Sequence, residues 1–275
     1  MCHRLCQFPV PGGVIVAVDG GTAAPGAWMR EIMEDQQAET DLTVSAFYRT
    51  GRAGAQRLSD GGGPFGFDIA VALMVDDLVR RYDCDALAES GCFVGDTTSY
   101  LARRYPGLPV YSCDTDPACA AFTARRLARC PNATVSCEDS PAMLARVAAR
   151  HTRPLAFLDA HWGDRWPLAA ELGIVTAGAG VAVIHDFDIG HGRFSYDTYD
   201  GVPCGPLLLA RTDDPPAWYY TLDPSAPLPV PCLQVGRRAG VGVILGQGFS
   251  PGGEAPSPFL AARRLGAEVT AGSTR

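Results

Sequence analysis

Two short segments carry most of the side chains that could do acid–base or metal chemistry. Phe157–Trp162 reads F-L-D-A-H-W and His185–Asp188 reads H-D-F-D, and each follows or ends an apolar run. Carboxylates and imidazoles in such places can take a proton from a reacting group or hold a divalent ion. We therefore predict Asp159, His161 and Asp186 as catalytic residues.

A second set of residues is typical of a nucleotide-like cofactor. Glu89 opens a turn in which Gly91 and Gly95 let the backbone bend tightly and approach a ligand, and a helix begins near Thr97. Asp114 ends the next strand, where a carboxylate can accept both hydroxyls of a ribose.

The strand after that ends at Asp139 and Ser140, where an acid and the start of a helix can face an adenine. Three consecutive strand ends therefore carry the parts of an adenosine site.

The elements that must position these residues follow from periodicity. Apolar residues at helical spacing predict a helix over Phe67–Tyr82, and a strand–helix alternation follows it. The five predicted strands of this alternation are Asp85–Glu89, Leu108–Cys113, Ala133–Cys137, Pro154–Asp159 and Gly180–Asp186. Two further strands, Trp218–Leu222 and Ala239–Leu245, lack a long helix between them and predict an antiparallel edge hairpin. The predicted fold class is α/β, a mostly parallel sheet with helices on both faces.

This arrangement resembles the class I S-adenosylmethionine (AdoMet)-dependent methyltransferases over about residues 67–245. The resemblance implies a Rossmann-like seven-stranded sheet in the order 3-2-1-4-5-7-6. It also implies that the E-x-G-x-x-x-G turn holds the methionyl end of AdoMet. The residues that would contact the cofactor are Glu89, Gly91, Gly95, Thr97, Asp114, Asp139, Ser140 and Asp159. Phe93 departs from the commoner glycine in the middle of the turn.

The reacting end is similar to that of metal-dependent small-molecule O-methyltransferases, including the catechol type. Those enzymes bind Mg²⁺ through positions that correspond to Asp159, Asp186 and Phe187, but phenylalanine cannot be a ligand. His185 or Asp188 is the substitute, so the candidate ligands are Asp159, Asp186 and His185. Ligation rich in histidine would suit a transition metal instead of Mg²⁺. The lysine base of that family has no counterpart.

The acceptor side is predicted from aromatic and imidazole side chains. A glycine-flanked loop, residues 190–201, could form a lid or one wall of a pocket. The candidate substrate-binding residues are Trp162, His191, Tyr196 and Tyr199. A natural-product or sugar-like acceptor, in secondary metabolism, is the expectation.

Composition excludes several functional classes. The chain has 275 residues, 47% of them hydrophobic, and no apolar run approaches the roughly 18 residues of a membrane helix. A net charge of −7 argues against nucleic acid as partner. The basic residues are all arginine, which excludes lysine chemistry. We expect a cytoplasmic protein with reduced cysteines that acts on a small molecule, away from membranes, with a homodimer left open.

The predicted organisation is an arm or cap over residues 1–45, a leading helical segment over 46–83, an AdoMet-binding domain over 84–249 and a tail over 250–275. Other functions stay open. The protein could be a metal-independent N- or C-methyltransferase, or it could bind AdoMet without transferring the methyl group. An RNA methyltransferase is disfavoured by the acidic charge, and a nicotinamide dehydrogenase by the missing G-x-G-x-x-G motif.

Overall fold

The computed structural model describes residues 27–266 except 54, 56, 58–61, 161–165 and 237, with side chains from residue 34 onward. The chain divides into two units, residues 1–41 and 42–275. The described part of the first unit is helical, and the second unit contains the whole sheet. Among the described helices, none has the length and apolarity needed to cross a membrane.

The centre of the second unit is an eight-stranded sheet. Its strands are β1 (Ala86–Ser90), β2 (Val110–Asp114), β3 (Ala133–Cys137), β4 (Pro154–Leu158), β5 (Val181–His185), β6 (Trp218–Leu222), β7 (Val241–Leu245) and β8 (Leu260–Arg264). The spatial order is 3-2-1-4-5-7-6-8. Strands β1 to β5 are parallel, and β7, β6 and β8 pair antiparallel. The predicted order is confirmed, with one strand more than expected.

Helices cover both faces of the sheet. The described helices are α1 (Ala27–Arg49), α2 (Ile69–Arg81), α3 (Asp96–Arg104), α4 (Pro117–Arg126), α5 (Ser140–Ala148), α6 (Leu168–Thr176) and the short α7 (Pro206–Leu209), with a 3₁₀ turn over Pro64–Phe67. Residues of α2 and α3 pack on one face, while residues of α5 and α6 pack on the other. Side chains alternate between the two cores along β4, as expected for a strand buried on both faces.

The structure corrects the sequence analysis at both ends of the chain. Residues 27–45, expected to belong to a loose arm or cap, lie in α1, which continues to Arg49. The segment over 250–275, expected to be a tail, contributes β8, which pairs with β6 over Leu260–Arg264. The sheet therefore extends beyond residue 249, the predicted end of the AdoMet-binding domain. β8 lies at the edge of the sheet and pairs with β6. Its sequence, LAARR, has no alternation of apolar and polar residues that would predict a strand.

The order of the strands determines where the candidate site lies. Parallel strands β1 to β5 end at one edge of the sheet, and the order reverses between β1 and β4, which is where open α/β sheets bind ligands. At this point the Asp159 N–H donates to the carbonyl of Ser90 (3.2 Å), so the two strand ends are tied together.

The end of β5 is anchored by Phe187, which is 1% exposed. Its N–H donates to the carbonyl of Gly240 (2.9 Å), and its ring lies on β7 at Gly242. A Cβ at Gly242 would lie 2.7 Å from Cγ of Phe187, well inside van der Waals contact. Because Gly242 has no side chain, the ring of Phe187 can pack against it, and this contact fixes the backbone after β5.

We expect Gly242→Ala to destabilise the protein by about 1–3 kcal/mol, because the new methyl group overpacks against the Phe187 ring. The melting temperature should fall by about 3–10 °C, measured by calorimetry. Gly107→Ala is the matched control, since no atom lies within 4 Å of a Cβ at that position. Equal melting temperatures for the two variants would contradict this account of Phe187.

Candidate active site

The turn after β1 requires glycine at two positions. Gly91 has φ +77° and Gly95 has φ +74°, a conformation that L-residues adopt at a cost. A Cβ at Gly91 would lie 2.9 Å from the carbonyl oxygen of Asp159, and one at Gly95 would lie 2.5 Å from Cγ2 of Thr123. The turn is therefore packed closely between the end of β4 and helix α4, and its approach to a ligand stays a prediction.

Glu89 lies inside the protein at the end of β1, with 2% exposure. Its Oε2 accepts hydrogen bonds from the hydroxyls of Thr98 and Ser112, the latter at 2.9 Å. Burial raises the pKa of Glu89 to about 8, and the charge of Asp159 adds to the rise, although the hydroxyl donors oppose it. At neutral pH, Glu89 is thus a neutral carboxylic acid that joins β1, β2 and α3 beneath the glycine turn.

Asp114 lies at the tip of β2 beside the same turn. Its Oδ2 accepts from the N–H of Phe93 (2.9 Å) and its Oδ1 from the N–H of Asp116 (2.9 Å). These two bonds fix the carboxylate while leaving it half-buried, with lone pairs for further donors. Phe93 itself has φ +45° and is 67% exposed.

The tip of β3 places Asp139 and Ser140 at the start of α5. Asp139 is half-buried, and Ser140 is 2% exposed. Within the described part of the chain, Oγ of Ser140 is buried without a hydrogen-bond partner. A buried hydroxyl without a partner is costly, so a ligand atom at this place would be stabilised.

Thr97, predicted to bind the cofactor, is 7% exposed, and its Oγ1 accepts from the N–H of Phe65 (3.1 Å). That contact ties α3 to the 3₁₀ turn before α2. The role of Thr97 toward a cofactor stays a prediction.

Asp159, His185 and Asp186 come together at the tips of β4 and β5. Nδ1 of His185 lies 3.0 Å from Oδ1 of Asp159 and 3.4 Å from Oδ2 of Asp186. Burial alone would lower the pKa of His185, but the charges and hydrogen bonds of the two carboxylates outweigh it and hold this pKa well above its usual range. Among the described residues, these three form one group whose ligand atoms lie within 4.8 Å of one another.

The other side of the His185 ring is lined by apolar groups. The ring of Phe157 lies 5.3 Å from it, centroid to centroid. A Cβ at Gly66 would lie 3.8 Å from both Cε1 and Nε2 of His185, so the backbone of the 3₁₀ turn faces this edge of the imidazole. Sequence reasoning did not identify Gly66, because its position depends on a contact between distant parts of the chain.

Two residues considered near this cluster have other roles. Phe187 is a core anchor, which confirms that the third ligand position of the similar metal enzymes cannot ligate here. Asp188 accepts the N–H of Gly190 (2.9 Å) at the start of the following loop. His161 and Trp162, predicted as a catalytic and a substrate residue, lie outside the described residues.

The loop after β5, for which the sequence analysis gives a lid or one wall of a pocket, is held by backbone pairing. Asp197 N–H donates to the carbonyl of Asp186 (3.0 Å), and Phe194–Ser195 pairs with Arg238–Ala239. Tyr199 stacks on Trp166 at 5.2 Å between ring centroids.

His191 and Tyr196, the other candidate substrate residues of the loop, differ in their surroundings. The His191 ring lies edge-on to Phe194 at 5.5 Å between centroids, and Tyr196 is 40% exposed. Their roles stay predictions. Grooves of about 610 and 360 Å³ lie elsewhere, near Arg103 at the end of α3 and near Pro206 at α7, and they contain none of the candidate residues.

The first seven strands of the sheet have the order 3-2-1-4-5-7-6 with an antiparallel seventh strand, and the glycine turn follows β1. This is the strand order that the resemblance to class I AdoMet-dependent methyltransferases implies. No family model and no curated protein matches the sequence.

Solved structures resemble this one at low identity. A protein assigned as an O-methyltransferase from Klebsiella pneumoniae is 15% identical over 76% of this chain and 89% of its own, with a TM-score of 0.43. An rRNA methylase from Streptococcus thermophilus is 16% identical over 64% of this chain and 96% of its own, with a TM-score of 0.39.

Coclaurine N-methyltransferase bound to N-methylheliamine and SAH is 17% identical over 56% of this chain, with a TM-score of 0.32. The present chain spans 51% of the length of that enzyme. Such identities and TM-scores carry neither substrate nor reaction to this chain, so its function is argued from its own residues.

We expect the stability of the wild type to fall relative to that of Glu89→Gln as the pH rises from 4.5 to 8. The folded state keeps the Glu89 proton over this range while the unfolded chain loses it, so folding becomes less favourable with increasing pH. The difference should grow by up to about 1.4 kcal/mol per pH unit, measured by urea unfolding at pH 5 and pH 8.

Glu138→Gln is the control, and its free-energy difference from the wild type should stay nearly constant between pH 5 and pH 8. Arg146 lowers the pKa of Glu138 through a surface ion pair, so any stability that the Glu138 carboxylate provides is present at neutral pH and is lost as the pH falls toward that lowered pKa. A free-energy difference between wild type and Glu89→Gln that does not change with pH would show that Glu89 is ionised in the folded protein.

Proposed function

We propose that this protein transfers a methyl group from AdoMet to a hydroxyl group of a small molecule. The observation that carries the proposal is the sequence of three strand tips at one edge of the sheet. They present a glycine turn, a fixed carboxylate at Asp114, and a buried hydroxyl without a partner at Ser140. These groups match in order the methionyl, ribose and adenine parts of AdoMet.

The chain's own residues fit this cofactor. Gly91 and Gly95 give the turn its left-handed backbone and let it pack against the end of β4 and against α4, and the neutral Glu89 lies beneath it. The Asp114 carboxylate accepts ribose hydroxyls with the oxygen lone pairs that its two N–H donors leave free. We assign Asp139 and Ser140 to the adenine edge.

The reacting end needs an aligned nucleophile and a group that takes its proton. Asp159 and Asp186 orient the His185 imidazole through Nδ1, which leaves Nε2 at the side of the ring next to Gly66. An imidazole held by a carboxylate on one nitrogen can exchange a proton at the other. Because the two carboxylates hold the pKa of His185 well above its usual range, the imidazole is protonated at neutral pH, and we assign to it a hydrogen bond from Nε2 that orients the acceptor hydroxyl and stabilises its developing charge. Removal of the proton is assigned to the predicted His161.

The same three side chains fit a divalent ion. Their donor atoms are two carboxylate oxygens and an imidazole nitrogen that lie within 4.8 Å of one another, and this mixed set suits a first-row transition metal better than Mg²⁺. When bound, such an ion would lower the pKa of the acceptor hydroxyl. Asp159, His185 and Asp186 would hold it.

The proposal also includes the nature of the acceptor and the setting. A net charge of −7 disfavours a nucleic-acid acceptor, and the stacked pair of Trp166 and Tyr199 favours a small, flat or amphipathic molecule. A natural-product or sugar-like compound in a cytoplasmic pathway of secondary metabolism meets these conditions. A homodimer is compatible with them.

Asp114→Asn should weaken AdoMet binding at least tenfold, because the neutral amide loses the charge that strengthens the hydrogen bonds to the ribose hydroxyls. Isothermal titration calorimetry with AdoMet measures the dissociation constant. Asp213→Asn, an exposed carboxylate far from the strand tips, is the control. Unchanged affinity in Asp114→Asn would remove Asp114 from the ribose role.

Asp159→Asn should reduce turnover at least a hundredfold while the dissociation constant of AdoMet changes by less than threefold. The neutral amide removes the charge that pairs with His185, and it is a weaker metal ligand than the carboxylate. A radiolabelled methyl-transfer assay over a panel of phenols, sugars and amines measures turnover, with circular dichroism as the check of folding.

Equal losses of turnover and AdoMet affinity would place Asp159 in cofactor binding or folding. The same assay after chelation separates the two kinds of assistance. A rate restored only by a divalent ion assigns the cluster to metal binding, while an unaffected rate assigns it to His185. Tight AdoMet binding without transfer to any acceptor would contradict the proposed activity, and methylation of amines alone would contradict the hydroxyl acceptor.

A further inference from the structure

The turn that faces His185 holds an unfavourable backbone conformation. Phe65, Gly66 and Phe67 have φ values of +51°, +63° and +64°, so three consecutive residues are left-handed and two of them carry a side chain. Each such residue costs about 1–2 kcal/mol unless glycine is present. Conformations of this kind persist only where surrounding contacts impose them, and they concentrate at functional sites.

Contacts from a distant part of the chain impose this conformation. Gln234 Nε2 donates to the carbonyl of Gly66 (2.9 Å). Arg238 donates to both carboxylate oxygens of Asp68, at 2.7 and 3.1 Å, and Asp68 in turn caps α2. Gln234 and Asp68 are nearly buried, at 7% and 2% exposure, so these are interior bonds with little competition from water.

The segment that supplies these donors connects the turn beside His185 with the backbone that follows β5. We call it the brace and define it as Gln234, Arg238, Ala239 and Gly240. Through Gln234 it holds Gly66, which faces the imidazole of His185. Through Gly240 it accepts the N–H of Phe187, the second residue after His185.

The backbone between these contacts is itself unusual. Asp186 has φ +50°, so the residue that flanks His185 is also left-handed. Asp197 N–H donates to the carbonyl of Asp186, and the loop that contains Asp197 pairs with the brace at Arg238–Ala239. The brace therefore connects the left-handed turn, the end of β5 and the loop after β5. These elements lie next to the imidazole and the carboxylate of Asp186.

We propose that Gln234 and Arg238 are positioning residues that fix the His185 imidazole by holding the left-handed turn against it. The inference rests on the proposed function in so far as a fixed imidazole serves methyl transfer. Their effect passes through Gly66 and through the backbone on either side of Asp186.

Gln234→Met tests the proposal, because methionine fills the same space without an N–H donor. We expect the value of kcat to fall about tenfold or more, while the KM of the acceptor and the dissociation constant of AdoMet change by less than twofold. Gln247→Met is the matched control, since Gln247 donates a similar bond to Asp214 on the exposed surface.

A second readout does not need an acceptor. In ¹⁵N-labelled protein at fixed pH, the imidazole resonances of His185, assigned with His185→Gln, should shift or broaden in Gln234→Met and stay unchanged in Gln247→Met. Because this readout is independent of catalysis, the positioning role is tested even if the wild type transfers no methyl group.

Gln234→Asn, which keeps the amide but shortens its reach, should give the same shift in a chain of nearly the same polarity. Unchanged His185 resonances in both Gln234 variants would overturn the proposal. So would losses of kcat, AdoMet affinity and melting temperature in equal proportion, or failure of both variants to fold, since those results assign Gln234 to structure alone.

Discussion

The site depends on one interaction, the imidazole of His185 held between the carboxylates of Asp159 and Asp186 at the tips of two adjacent parallel strands. Charges buried at such a place are costly unless they are paired. Pairing requires β4 and β5 to end side by side, and the backbone after each strand to turn so that the side chains converge. The parallel pairing of β4 with β5 meets the first requirement, and the left-handed conformation of Asp186 meets the second after β5.

Several other buried groups near the site follow the same physical rule. Asp68 is almost completely buried and is paired with Arg238, whereas Glu89 is buried without a cation and is therefore neutral. The chain thus uses pairing at one carboxyl group and protonation at the other. Both the ion pair and the protonated carboxyl group depend on close packing, so the geometry of the site depends on the folded core around it.

The geometry of the site also depends on left-handed backbone conformations. Left-handed residues occur at Phe93 beside Asp114, at Phe65–Phe67 beside His185 and at Asp186 itself. Glycine would relieve the strain at these positions, yet side chains are present at all but Gly66. Hydrogen bonds from distant residues hold these conformations, so the geometry of the site is a product of tertiary contacts.

The sequence by itself determined the five strand–helix units, the strand order through a family resemblance, and the convergence of Asp159, His185 and Asp186. Periodicity and strand ends are local signals, and parallel strands necessarily bring their carboxyl ends to one edge. The start of α1, the edge strand β8, the core role of Phe187, and the placement of Gly66, Gln234 and Arg238 were decided only by the tertiary structure. Their positions depend on contacts between residues far apart along the chain, for which a single sequence contains no periodic or compositional signal.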